Sequence, residues 1–211
     1  NIQVRKNYLI WIFSKPSYKP GEYVYSNTGY GILGAIIENR TRIEYNFLIK
    51  KYLFDIILPG EDFRYNFESK SICNINEYDD NLEKMVMKSY NPKSPFMIEQ
   101  GPAGEISMDI YSFSNYGMYI INNLKREVLK KYALDIGDSR GYSLGWFINS
   151  DENVISHEGY WCEWNTMIEI NLDKKIGFIV CVNNTKYKSP LLPITEKIRN
   201  QLYSTFDVYV K

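Results

Sequence analysis

At Gly141 the spacing of apolar residues changes from helical to alternating, and no other feature limits the fold of this chain as strongly. Before the switch, Ile110, Phe113, Gly117, Ile120, Ile121 and Leu124 recur at helical intervals, with Ser107 placed to cap the helix they define. After it, Tyr142 to Ile148 and Val154 to Ser156 read as short strands. Trp164, Thr166, Ile168, Ile170 and Leu172 then alternate with Glu163, Asn165, Met167, Glu169 and Asn171, the pattern of a strand with one buried and one mostly polar face. Ile176 to Val182 is almost continuously apolar and predicts a central strand covered on both sides. A closing helix from about Leu191 to Phe206 offers Leu192, Ile194, Ile198, Leu202 and Phe206 to the sheet. Helices first, then an antiparallel meander and a terminal helix, predict an α+β fold: a mainly helical part over 1–140, and a sheet with its helix over 141–211.

Within the first part, Tyr30, Leu33, Ile36 and Ile37 share a helical face that starts near Ser26 or Asn27, either of which suits an N-cap. Gly29, Gly31 and Gly34 each disfavour helix by roughly 1 kcal/mol relative to Ala, so close backbone packing is expected to compensate. A further apolar helix covers Tyr45 to Ile57 and stops at Pro59-Gly60. Residues 61–100 are polar and irregular and read as a long excursion.

Composition removes several classes of function. The chain has 25 basic and 25 acidic residues, so no sequence-wide field draws it to nucleic acid or to a membrane surface. No run reaches the ~20 apolar residues of a membrane span. Cys73, Cys162 and Cys181 lack metal-ligand spacing and the chain has a single histidine, so no metal and no cofactor is expected; the cysteines read as buried thiols, with one disulfide open. Arg5-Lys6 followed by Tyr8 to Phe13 has the charge order of a signal peptide, but the apolar core falls short of the ~7–15 residues required, and it reads as a buried helix or strand.

Two short signals carry candidate chemistry: Tyr25-Ser26-Asn27 at a helix entry and His157-Glu158-Gly159 at the end of a short strand. Taken singly, a Tyr and an Asn before a helix read as packing and cap residues, and a lone His as a hydrogen-bonded structural residue. Five segments in order give the pair more weight: PGEYVYSNTGYGILGAIIENRT, LPGEDF, GPAGEISMDIYSF, YSLGW and ISHEGYWCEWNTMIEINLDKKIGFIVCVNN. Together they resemble the penicillin-recognising serine hydrolases, which include class C β-lactamases, D-Ala-D-Ala carboxypeptidases and related esterases.

That resemblance implies a cleft between an all-helical part and an antiparallel sheet, and acyl-enzyme hydrolysis of a β-lactam, peptide or ester. It assigns proton transfer to Tyr25 and orientation of the substrate amide to Asn27. His157 takes the place of the third motif's Lys or His, Gly159 lets a substrate backbone lie against the strand, and the N–H of Tyr160 becomes an oxyanion donor. A phenol with an ordinary pKa of about 10 acts as a base near neutrality only if cations stabilise the phenolate. Glu158 replaces the family's Ser or Thr, which removes a hydroxyl for a substrate carboxylate and adds a repelling charge.

The family's first motif, Ser-x-x-Lys, is absent: no serine is followed by a lysine three places on, and Ser17-Tyr18-Lys19 has the wrong spacing to share a helical face. The resemblance therefore implies an N-terminally incomplete fold whose sheet keeps an uncovered edge, and turnover is not expected from this chain alone. Three readings follow. The chain is the C-terminal part of a serine hydrolase whose Ser-x-x-Lys lies in an upstream reading frame, on a separate N-terminal fragment from a split gene, or in a segment outside these 211 residues; or it is a non-catalytic relative binding peptidoglycan-like peptides or a protein partner; or it is a decaying gene product. An extracytoplasmic or periplasmic location is implied only by the resemblance.

Overall fold

The computed structural model describes residues 2–57, 59, 99–149, 153–183 and 192–207 apart from 18, 20, 105, 138, 162 and 163, together with three strands at 63–65, 74–79 and 84–89. Most of the excursion expected over 61–100 lies outside the described residues, as do Cys73 and Cys162. The chain forms two compact units, Asn1–Cys73 with Asn91–Ser112, and Asn74–Tyr90 with Phe113–Lys211.

The first unit is built on three helical stretches. Helix α1 spans Ile2–Phe13 and α2 spans Asn27–Thr41; α3 (Tyr45–Ile49) runs through a π-helical segment, Lys50–Phe54, into α4 (Asp55–Ile57). A short strand, β1 (Phe63–Tyr65), pairs antiparallel with β4 (Ile106–Met108).

Helix α2 is turned differently from the expectation. It buries Gly31, Gly34, Ala35 and Glu38, while Leu33, Ile36 and Ile37 are exposed. The glycines decide this. A Cβ at Gly31 would lie 2.6 Å from the Glu99 carbonyl oxygen, and one at Gly34 would lie 2.3 Å from Pro102 Cγ, so the turn before α5 packs against bare backbone. In α1 the buried residue is Arg5, and Ile10, Trp11 and Phe13 are exposed. Arg5 donates to Glu38 Oε1, which also accepts the Tyr45 N–H at 2.7 Å, and both charged side chains are 1% exposed. One carboxylate thus ties α1 and the start of α3 to α2.

The second unit centres on a six-stranded antiparallel sheet of order β10-β9-β8-β7-β6-β5, comprising β5 (Leu134–Gly137), β6 (Arg140–Ser143), β7 (Trp146–Asn149), β8 (Val154–Trp161), β9 (Trp164–Asn171) and β10 (Ile176–Asn183). A separate hairpin pairs β2 (Asn74–Asp79) with β3 (Lys84–Ser89). The stretch read as one strand over 142–148 is a hairpin, because Leu144 (φ 51°) and Gly145 (φ 89°) make a two-residue turn of left-handed backbone.

Helix α5 (Ile110–Asn123) puts Gly117 and Ile121 against Ile168, Ile170, Ile179 and Gly177, and α6 (Arg126–Lys131) adds Leu129 to the same core. The cap of α5 is Asp109 rather than Ser107. Its carboxylate accepts the N–H groups of Tyr111 and Ser112 at 2.8 and 2.9 Å, whereas Ser107 lies buried in β4. These bonds hold the Asp109 carboxyl below its ordinary pKa.

The face of β9 expected to be polar and solvated is buried: Asn165, Met167, Glu169 and Asn171 are all inaccessible. On that side α7 (Leu192–Asp207) brings Tyr203 edge-on to Phe178 at 4.5 Å and Arg199 to Glu169 at 3.4 Å, while Ile198, expected to cover the sheet, is exposed. Strand β10, expected at the centre, is an edge strand among the described residues, and Cys181 on it is an exposed free thiol rather than a buried one.

Candidate active site

The residues expected to carry chemistry fall on two local frameworks, one in each unit. In the first, Ser26 has extended backbone (φ −149°), and its hydroxyl accepts the Gly29 N–H at 3.1 Å, which makes it the N-cap of α2. Tyr8 tethers the same first turn by donating its hydroxyl to Thr28 Oγ1 at 3.3 Å. Because Ser26 does the capping, neither neighbour is used for it. Tyr25 is 48% exposed and Asn27 is exposed.

The electrostatics around Tyr25 do not favour a phenolate. Partial burial, with Tyr30 beside it, raises the Tyr25 pKa, and Tyr23 is raised by burial and by Tyr25 and Tyr30. None of these causes is a cation, so within its own surroundings Tyr25 is a proton donor at neutral pH.

In the second unit, β8 pairs with β9 along its full length, matching His157 with Ile168, Gly159 with Thr166 and Tyr160 with Asn165. Its pairing with β7 ends at Ser156. Directly opposed residues share a face, so His157 and Gly159 lie on the core side with Ile155 and Ile168, and Glu158 and Tyr160 alternate to the other. The repelling charge expected from Glu158 is thus sent to the face opposite the imidazole. A Cβ on Gly159 would stand 2.7 Å from Thr166 Oγ1, so only glycine fits without displacing that threonine.

His157 lies 5.8 Å, ring to ring, from Phe147. Burial lowers its pKa, partly offset by a hydrogen bond with the Glu158 backbone, so at neutral pH it is an uncharged imidazole. Proton linkage then has a definite sign. The folded pKa lies below the ordinary 6.5, so the unfolded chain takes up the proton first as pH falls. The contribution of His157 to stability is complete above about pH 6.5 and declines as pH drops toward its folded pKa. Denaturation midpoints between pH 8 and pH 5 are expected to fall more steeply for the natural chain than for His157→Gln; parallel curves would contradict this.

Tyr25 and Asn27 belong to one unit and His157, Gly159 and Tyr160 to the other. Phe147 beside the imidazole and Thr166 beside Gly159 escape sequence reasoning, since only cross-strand register reveals them. Among the described residues, no group of three or more His, Cys, Asp or Glu side chains is placed to hold a metal ion, and no helix is long and apolar enough to cross a membrane.

A family model described as Beta-lactamase matches residues 13–201. Among curated proteins, the chain is 25% identical over 201 residues to Protein flp of Staphylococcus aureus (strain MRSA252), covering 89% of this chain and 39% of that protein. It is 26% identical over 203 residues to Penicillin-binding protein 4* of Bacillus subtilis (strain 168), covering 86% and 45%. It thus spans less than half the length of these relatives. Among solved structures, a penicillin-binding protein from Bacillus halodurans superposes with a TM-score of 0.70 at 13% identity, over 93% of this chain and 62% of that one. A class C beta-lactamase mutant gives 0.58 at 17% identity, over 88% and 61%. At these identities the structures establish the fold: helices, an antiparallel sheet and a C-terminal helix of the β-lactamase type.

Proposed function

The chain belongs to the beta-lactamase family, and from that premise we propose that it is the C-terminal part of a serine hydrolase that acts through an acyl-enzyme on a β-lactam, peptide or ester. The observation that carries this reading is the division of labour in Tyr25-Ser26-Asn27. Ser26 satisfies the helix terminus, and the phenol and carboxamide on either side are left accessible to a ligand. In this reading Asn27 orients the substrate amide and Tyr25 transfers a proton. In the second unit an extended acyl donor lies beside Gly159, with the Tyr160 N–H as oxyanion donor and His157 as a neutral hydrogen-bonding group. The Ser-x-x-Lys pair that this chemistry requires is not among these 211 residues.

A second reading, binding without turnover, is favoured by the pKa direction at Tyr25. A phenol raised above its ordinary pKa recognises a ligand by hydrogen bonds but does not act as a base at neutral pH. Both readings require a ligand at Asn27. Equilibrium dialysis with a D-alanyl-D-alanine peptide is expected to show binding that Asn27→Ala weakens about tenfold, the worth of one good hydrogen bond. Absence of binding, or binding indifferent to Asn27→Ala, would remove both.

A further inference from the structure

On one face of the sheet, two neighbouring rows of side chains leave the core together. Along β8 the row runs from buried Ile155 through partly buried His157 to exposed Gly159, and along β9 from buried Ile170 and Ile168 to half-buried Thr166. The register pairs Ile155 with Ile170, His157 with Ile168 and Gly159 with Thr166, so a hydroxyl stands where apolar packing ends, opposite the glycine. A Cβ on Gly159 would lie 2.7 Å from Thr166 Oγ1. That oxygen therefore borders the space the missing side chain leaves open. Glu158, which stands where the family carries a Ser or Thr, brings no hydroxyl and turns to the opposite face.

We propose that Thr166 is a specificity-determining residue of the second-unit site, its hydroxyl donating to the carboxylate of a peptide that lies beside Gly159. This rests on the hydrolase reading above, which puts an acyl donor at Gly159. A threonine hydroxyl rotates to suit its partner and can donate to any acceptor within reach. A bond to an ionised acceptor is about twice as strong as one to a neutral acceptor, so the same hydroxyl favours a free acid over its amide. The imidazole on this face is uncharged at neutral pH and adds hydrogen bonding without net charge. Preference for the acid is thus carried by the charge-assisted bond from Thr166.

The test is equilibrium dialysis of N-acetyl-D-alanyl-D-alanine and of the same peptide with a C-terminal carboxamide, at neutral pH, against the natural chain, Thr166→Val and Thr166→Ser. The natural chain is expected to bind the acid more tightly than the amide. Thr166→Val keeps the β-branched shape and removes the hydroxyl, and is expected to weaken the acid about tenfold or more and the amide only about threefold. Thr166→Ser, which restores the hydroxyl, holds the acid within about threefold of the natural chain. The resonance of His157, the sole histidine and a neighbour on the same face, reports whether each variant keeps its fold. An amide bound as tightly as the acid by the natural chain overturns the proposal without any variant. Equal weakening of both peptides in Thr166→Val, no weakening of either, or a serine variant no better than the valine one does the same. Binding that Asn27→Ala weakens and Thr166→Val leaves unmoved keeps the hydrolase reading and removes Thr166 from it; binding of neither peptide removes both.

Discussion

Incubation of residues 1–211 with a fluorescent penicillin is expected to leave the intact mass of the chain unchanged. Acylation needs a hydroxyl whose proton is taken as it attacks, and no serine of these 211 residues has a lysine three places on to take it. Burial keeps the Tyr25 phenol protonated at neutral pH, so it does not take that proton. Loss of a nucleophile that works as part of a unit costs on the order of a millionfold in rate, which places acylation below detection. An adduct mapped to any serine of this chain would contradict the account.

Replacing Glu38 by Ala is expected to be the most damaging single change to stability outside the hydrophobic core. Glu38 and Arg5 lie 33 residues apart and are paired in the interior of the first unit, with the Arg5 guanidinium 5.8 Å from the centre of the Tyr45 ring. Alanine would remove the carboxylate that faces the buried guanidinium and accepts the Tyr45 N–H at the start of α3. Removing one partner of a buried pair costs roughly 3–5 kcal/mol, a large part of the ~5–15 kcal/mol available to a folded domain. The double variant Arg5→Met/Glu38→Leu is expected to recover most of that loss, because replacing both charges by apolar groups of similar volume removes the desolvation cost as well. Urea denaturation measures both. A loss below about 1 kcal/mol for Glu38→Ala would show that the pair is solvated.

What could be read from the sequence was local. The α5 helix, the alternation of β9 and a helix entry capped at Ser26 or Asn27 depend on residues within a few positions of one another, and the structure has all three, with Ser26 as the cap. The errors arise where distant segments decide. Leu33, Ile36 and Ile37 outweigh the glycines on any hydropathy reading, yet the approach of Glu99 and Pro102 turns the glycine side inward. The apolar run of β10 reads as central because the sequence cannot show which strand stops the ladder. For the candidate site, the residue types at 25, 27, 157 and 159 were legible through the family resemblance. Their protonation was not, since it depends on burial and on the absence of a cation among the causes that shift them.

The central proposal is that Tyr25 and Asn27, on either side of the Ser26 cap, bind an acyl donor. The Tyr25 ring signal is assigned by its loss in Tyr25→Phe. Titration of a D-alanyl-D-alanine peptide into the isotope-labelled chain is expected to shift that signal along a saturation curve. No shift at Tyr25 while peptide is bound would contradict the account.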